Sequence, residues 1–248
     1  MSNAAFSLTV IGCSGTYSSA DASCSSYLLR TPTTTVLVDA GPGSSMELQR
    51  HVSLEELDAI VISHEHPDHW TELPVLYHAY RYGIERADMP VYGTAGTLAL
   101  LESVSPHSTS TAFSWTTIDA SSTLSIGDID FTFSETDHPV ETLAVLARSG
   151  GKTIGYSADT GPDWSPSDLG SDIDLLVYET TLPNELEDEG IPHVSGREAG
   201  IRAAASGVGH LVLTHVPPGH DHEERRNAVA AEFDGQITVA VPGLVVSP

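Results

Sequence analysis

Short apolar runs set the rhythm of the first half of the chain. Phe6–Gly12, Ser26–Leu29, Thr35–Asp39 and Ala59–Ser63 are each rich in β-branched or aliphatic residues and bounded by Gly, Pro or Ser, which predicts strands. Ile129–Ser134, Thr142–Ala147, Thr153–Ser157, Ile173–Tyr178, His210–Thr214 and Gln236–Val241 repeat the pattern later. Helical spacing intervenes at Ser44–His51, Trp70–Tyr82, Thr94–Ser103, Ser195–Ala205 and Asp221–Phe233. The fourth of these opens on Ser195 and Glu198 at capping-box spacing and stops at Gly207. No stretch reads as a linker or a repeat, so residues 1–248 are expected to form one domain. Ten or so strands with interspersed helices predict an α/β (α+β) fold, two mixed β-sheets flanked by helices on their outer faces. Periodicity alone fits a doubly wound single sheet equally well.

Charge narrows the partners. Against 34 Asp and Glu stand only 10 Lys and Arg, a formal charge of −24, and Lys152 is the only lysine. Nucleic-acid binding draws most of its affinity from Lys and Arg on phosphates, and no basic stripe is present. The nearest approach, Arg225-Arg226, is flanked by Glu223-Glu224. Folded nucleic acid and anionic membranes are therefore not expected partners. Met1–Leu8 lacks a basic, then apolar, leader pattern, and no apolar run approaches the ~18 residues of a membrane span, so the expected compartment is the cytoplasm. In that compartment Cys13 and Cys24 are expected as reduced thiols.

The strongest chemical signal is His64-Glu65-His66-Pro67-Asp68-His69, directly after the strand Ala59–Ser63. His64 and His66 alternate along an extended segment and can converge on one ion. Asp68 and His69, one turn into the next segment, point elsewhere and can serve a second. Imidazole and carboxylate ligands without thiolate suit Zn²⁺, and also Mn²⁺ or Fe²⁺.

This motif resembles the H-x-H-x-D-H signature of the metallo-β-lactamase-fold hydrolases, and the resemblance runs roughly from Leu8 to Val241. It implies the four-layered αββα sandwich and a dinuclear site. Further strand-end residues match the family order: His138 in Thr136-Asp137-His138-Pro139, Asp159 in Ala158-Asp159-Thr160, and His215 in Leu213-Thr214-His215. By resemblance His64, His66 and His138 hold one metal, Asp68, His69 and His215 the other, and Asp159 bridges both. Asp39, ending Val36-Leu37-Val38-Asp39, matches the family's buried aspartate and is expected to orient the histidine loop from behind.

Val177-Tyr178-Glu179-Thr180-Thr181 followed by Pro192-His193-Val194-Ser195 looks like the tRNase Z branch and its small phosphodiesterase relatives. Asp68, Glu179 and His193 are the catalytic residues so implied. His193 contacts phosphate or protonates the leaving oxygen, and Glu179 fixes its tautomer. The Gly12-Cys13-Ser14-Gly15-Thr16 loop resembles the branch's first loop, whose Gly12 and Gly15 amides could meet a substrate phosphate. The Gly- and base-rich arm that grips tRNA in this branch has no counterpart, and only 13 residues separate Glu179 from His193. The expected function is a phosphodiesterase that attacks a small anionic ester, such as a cyclic nucleotide, with a metal-activated water. The alternatives are tRNA 3′-processing (ribonuclease Z) and another hydrolase of the fold: thioesterase, lactonase or β-lactamase. Homodimers, frequent in the branch, are the implied assembly. Two divalent ions would bring −24 to about −20 and make the cleft the cationic spot on an anionic body.

Overall fold

The computed structural model describes residues 6–187 and 189–248. The first five residues of the Met1–Leu8 stretch read above for a leader lie outside them. Six strands follow one another across the first sheet: β1 (Ser7–Gly12), β2 (Ser26–Arg30), β3 (Thr35–Val38), β4 (Ala59–Val61), β5 (Met89–Gly93) and β6 (Phe113–Thr117). The second sheet runs β7 (Thr123–Ile126), β8 (Ile129–Glu135), β9 (Leu143–Ser149), β10 (Lys152–Tyr156), β11 (Leu175–Glu179), β12 (His210–Thr214) and β13 (Gln236–Val239). A last strand, β14 (Val245–Val246), returns to the first sheet beside β1. Both sheets are mixed. β1 to β3 pair antiparallel and β3 to β6 parallel. β7 to β10 pair antiparallel and β10 to β13 parallel.

Strand alternation explains the four layers. Tyr27, Leu29, Val36, Val38 and Val61 face the second sheet and meet Phe131, Val145, Tyr156, Val177 and Val212. Their neighbours Leu28, Leu37 and Ile60 point outward, under α1 (Ser44–Leu48), α2 (Pro67–Trp70), α3 (Leu73–His78), α4 (Ala95–Val104) and α5 (Ser108–Thr111). On the other side Leu176, Tyr178, Leu211 and Leu213 pack against α6 (Pro166–Leu169), α7 (Gly196–Ala205) and α8 (His222–Ala230). This is the expected αββα sandwich, which the alternative of one doubly wound sheet does not describe. Each fully buried Leu or Val is worth about 1.5–3 kcal/mol relative to exposure. Tyr27 is fully buried between the sheets, and its hydroxyl meets Thr214 Oγ1 at 2.6 Å, so the one polar atom there is paired.

Two expectations need correction. Trp70–Tyr82 is not one helix. Glu72 N donates to Ala40 O instead of continuing the helical ladder, and Pro74 restarts the chain as α3. Beyond His78 it passes into a π-helical turn, Ala79–Ile84. β5, β6, β7 and β14 were also not expected. Pro90 sits in β5 at a position that β4 does not reach, since β4 pairs only with Val91 and Tyr92. Among the helices of the described residues, none is long and apolar enough to cross a membrane.

Cys13 and Cys24 are buried and unpaired. Burial pushes both thiols up to about 12, with Asp68 adding to the effect at Cys24. Thiolate is the reactive form. The native protein should therefore show no fast reaction with a disulfide reagent such as DTNB at neutral pH, and two reactive thiols after denaturation. Rapid native labelling of either residue contradicts this burial.

Candidate metal centre

Each candidate residue but His193, which lies in the loop before α7, sits where a strand ends, on one edge of the sandwich. Asp39 follows β3, His64 to His69 follow β4, His138 follows β8, Asp159 follows β10, Glu179 ends β11 and His215 follows β12. The chain leaves three of these strands through left-handed backbone, at Asp39 (φ 59°), Ala158 (φ 52°) and His215 (φ 62°). Such non-glycine conformations cost on the order of 1–3 kcal/mol each and persist only where surrounding contacts impose them. In the histidine motif Pro67 is the pivot. His66 is still extended, whereas Pro67 opens α2, so Asp68 and His69 turn away from the line of His64 and His66.

Two ligand-like groups result. Donor atoms of His64, His66, His138 and Asp159 lie within 4.8 Å of one another, and so do those of Asp68, His69 and His215. His138 Nε2 is 3.0 Å from His66 Nδ1, and Asp159 Oδ2 is 3.7 Å from His64 Nε2 and 4.0 Å from His138 Nε2. The other carboxylate oxygen, Asp159 Oδ1, faces His69 Nε2 at 3.2 Å and His215 Nε2 at 3.3 Å. Asp68 Oδ2 is 3.2 Å from His215 Nε2. The structure thus gathers all seven predicted ligand residues, with Asp159 offering one oxygen to each group.

A cation fits this cluster. His64 Nε2 and Asp159 Oδ1 are buried without a hydrogen-bond partner. A buried polar atom left so costs about 1–3 kcal/mol. Burial, with His69 alongside, holds His64 well below the usual imidazole range, and burial also depresses His138, so both present a neutral lone pair. Asp159 and Asp68 stay ionised. Burial opposes this, but His215 and His69 outweigh it and hold both carboxyls well below their ordinary range. His69 goes the other way: burial works against its charge, but Asp159 and Asp39 raise it well above the usual imidazole range.

Asp39 sits behind the ligands as expected, fully buried. Its Oδ2 accepts from His69 Nδ1 (2.7 Å), Ser63 Oγ (2.9 Å) and Tyr156 OH (2.9 Å), and its Oδ1 from Ser63 N (2.8 Å). Glu179 is also fully buried and accepts from His193 Nδ1 at 2.8 Å. His193 stacks on the His215 ring, centroids 5.7 Å apart, and shares a donor cluster with Asp159 and His215. Glu179 lifts the His193 imidazole to about 9, although burial works against it.

The first loop behaves differently from expectation. Gly12 lies within β1, and Gly15 N donates to Val216 O, so neither is set as a phosphate-binding amide. These glycines permit close packing instead: a Cβ on Gly15 would stand 2.3 Å from His215 O, and one on Gly12 1.8 Å from Cys24 O. The loop reaches the site through Thr16 N, which donates to Asp68 Oδ2 at 2.8 Å. Sequence reasoning also missed Ser63, Tyr156 and Thr181, whose hydroxyls touch Asp39, Glu179 or the histidines. A hydroxyl residue beside a ligand motif was the available signal for Ser63. Nothing local marked Tyr156. Arg225, read above only as half of a charged pair, is buried and donates from Nε to Thr180 O at 3.1 Å, bracing the chain between Glu179 and Thr181.

The sandwich and its strand-end His/Asp cluster define a metal-binding β-lactamase-type domain. The family model of the β-lactamase superfamily domain matches residues 34–216, and the chain belongs to that family. It is 30% identical over 244 residues to the probable metallo-hydrolase YhfI of Bacillus subtilis, covering 96% of this chain and 98% of that protein. The YhfI crystal structure matches with a TM-score of 0.89 at 28% identity, over 98% of this chain and 100% of that one. A ribonuclease Z of Mycobacterium bovis is 30% identical over 267 residues, 94% of each chain. The short form of human tRNase Z shares the fold, with a TM-score of 0.76 at 20% identity over 97% of this chain and 98% of that one.

Proposed function

We propose that this chain is a metal-dependent phosphodiesterase acting on a small phosphate diester such as a cyclic nucleotide. The observation that carries the reading is the Glu179–His193 pair, 2.8 Å apart, set against Asp159 and His215 at the edge of the metal-ligand cluster. In this reading His64, His66 and His138 would hold one divalent ion and Asp68, His69 and His215 the other, with Asp159 adjoining both groups. Zn²⁺ suits the donor set best. Ions so held would supply an activated water, its pKa lowered from about 15.7 to about 7. His193 keeps its Nδ1–H on Glu179, so Nε2 carries the transferable proton, and that proton passes to the departing ester oxygen. Asp68 is kept in place by Thr16 N, which donates to its Oδ2. The base-poor composition, −24 with one lysine, favours a substrate held by the metal centre over one gripped across a wide surface.

A second reading is tRNA 3′-processing, favoured by the 30% identity to a ribonuclease Z over 94% of the chain. One panel separates them. Zn²⁺- or Mn²⁺-loaded protein should hydrolyse bis(p-nitrophenyl) phosphate and at least one cyclic nucleotide, and His66→Ala should abolish both activities. Site-specific cleavage of a tRNA precursor with higher kcat/KM than any small diester transfers the assignment to the second reading. A thioester or lactone outperforming every phosphodiester sinks both.

A further inference from the structure

Two hydroxyls stand between the buried carboxylates and the histidine ligands. Thr181 Oγ1 is 2.5 Å from Glu179 Oε2 and 2.9 Å from His215 Nδ1. Ser63 Oγ is 2.9 Å from Asp39 Oδ2 and 3.0 Å from His64 Nδ1. Thr181 and Ser63 are both buried, as are His215 and His64.

A hydroxyl has one proton to give and lone pairs to receive. Glu179 is surrounded by donors: Thr160 N and His193 Nδ1 on Oε1, Thr181 N and Thr181 Oγ1 on Oε2. The Thr181 proton therefore goes to Glu179 Oε2 at 2.5 Å, because a carboxylate has no proton to give across that contact, whereas His215 Nδ1 at 2.9 Å can itself be the donor. The lone pair left on Thr181 requires the proton of His215 to sit on Nδ1. His215 Nε2 then carries its lone pair toward Asp68, His69 and Asp159. Asp39 likewise receives donors on both oxygens, so Ser63 gives its proton to Asp39 and accepts from His64 Nδ1. The result is a lone pair on His64 Nε2, which with Asp159 Oδ1 is one of the two ligand-cluster atoms buried without a hydrogen-bond partner.

We infer that Ser63 and Thr181 are positioning residues that lock the tautomer of one histidine ligand in each metal site. Each lets one carboxylate serve two imidazoles. Asp39 holds His69 directly and His64 through Ser63, so it touches both sites. Glu179 holds His193 directly and His215 through Thr181, so the proton donor and a metal ligand share one anchor. The inference rests on the metal-binding reading above, not on the choice of substrate.

The test is metal affinity. Zn²⁺ is titrated into apo-protein against a competing chelator, with calorimetric detection, for the wild type, Thr181→Val, Thr181→Ser and Ser63→Ala. Val keeps the shape of Thr and removes the relay; Ser keeps the relay and loses a methyl. Loss of a partner behind a ligand typically weakens metal binding about 10–100-fold. Thr181→Val is expected to weaken one of two binding phases by that factor, Ser63→Ala the other, and Thr181→Ser neither. Wild-type affinity in Thr181→Val, or equal losses in Thr181→Val and Thr181→Ser, overturns the relay and leaves the metal-binding reading intact. Weakening of one and the same phase by Ser63→Ala and Thr181→Val overturns the assignment of one relay to each site. A wild type that binds no metal overturns the metal reading itself, and the relay with it.

Discussion

Asp159→Ala should leave a folded protein that holds less than one equivalent of metal and has lost more than about 10³-fold in kcat, a barrier increase of roughly 4 kcal/mol. Its side chain faces both halves of the cluster, Oδ2 toward His64 and His138, Oδ1 toward His69 and His215. It is also a negative charge that raises His69. Without it, both proposed sites lose a ligand at once. Asp159→Asn keeps the shape and one acceptor oxygen but no charge, so it should retain one ion weakly and remain nearly inactive. Metal content by elemental analysis, read beside the far-UV circular dichroism of each variant, checks the prediction. An Asp159→Ala protein with two tightly held ions would show that the bridging geometry is incidental.

His193→Ala should separate binding from chemistry. Its ring stacks on His215 but donates to Glu179, so metal content is expected to stay at the wild-type level. Loss of a positioned acid costs about 10²–10⁴-fold in rate. The size should depend on the leaving group: near the upper end for a ribose alkoxide, which needs a proton, and small for p-nitrophenolate, which departs as the anion. Glu179→Gln should fall between, since a neutral amide no longer favours the imidazolium. The same proton defines an alkaline limb. His193 is raised to about 9 by Glu179, and in the proposed mechanism the protonated form is the active acid, so activity on alkyl esters should decline as pH rises through that value. Bound cations beside the ring disfavour the imidazolium and move the limb below pH 9. The limb should be absent in His193→Ala. Equal losses for both leaving groups would show that His193 binds phosphate instead of donating a proton.

Much of this was legible along the chain. Ala59–Ser63 followed by His64-Glu65-His66-Pro67-Asp68-His69 specifies a strand, an extended pair of imidazoles and a proline-initiated turn within eleven residues. Strand alternation such as Tyr27, Leu28, Leu29 assigns opposite faces, and both faces being apolar requires cover on each side. Ser195 and Glu198 form the capping box that their spacing predicts. The failures have local causes too. Pro90 hides β5, and the amide of Glu72 ends a helix by bonding to Ala40, thirty-two residues earlier.

The sequence by itself determined which side chains are offered and, to within a residue or two, where the strands that carry them stop, because those depend on neighbours within a few residues. It also determined the scarcity of cations. Tertiary structure alone decided what each polar atom meets. Thr181 touches His215 and Tyr156 touches Asp39 only because the chain ends of β11 and β12, and of β3 and β10, are brought to one edge of the sandwich. Hydrogen bonds act over about 3 Å and with fixed direction. No pattern of residue types contains that information until the two sheets have packed.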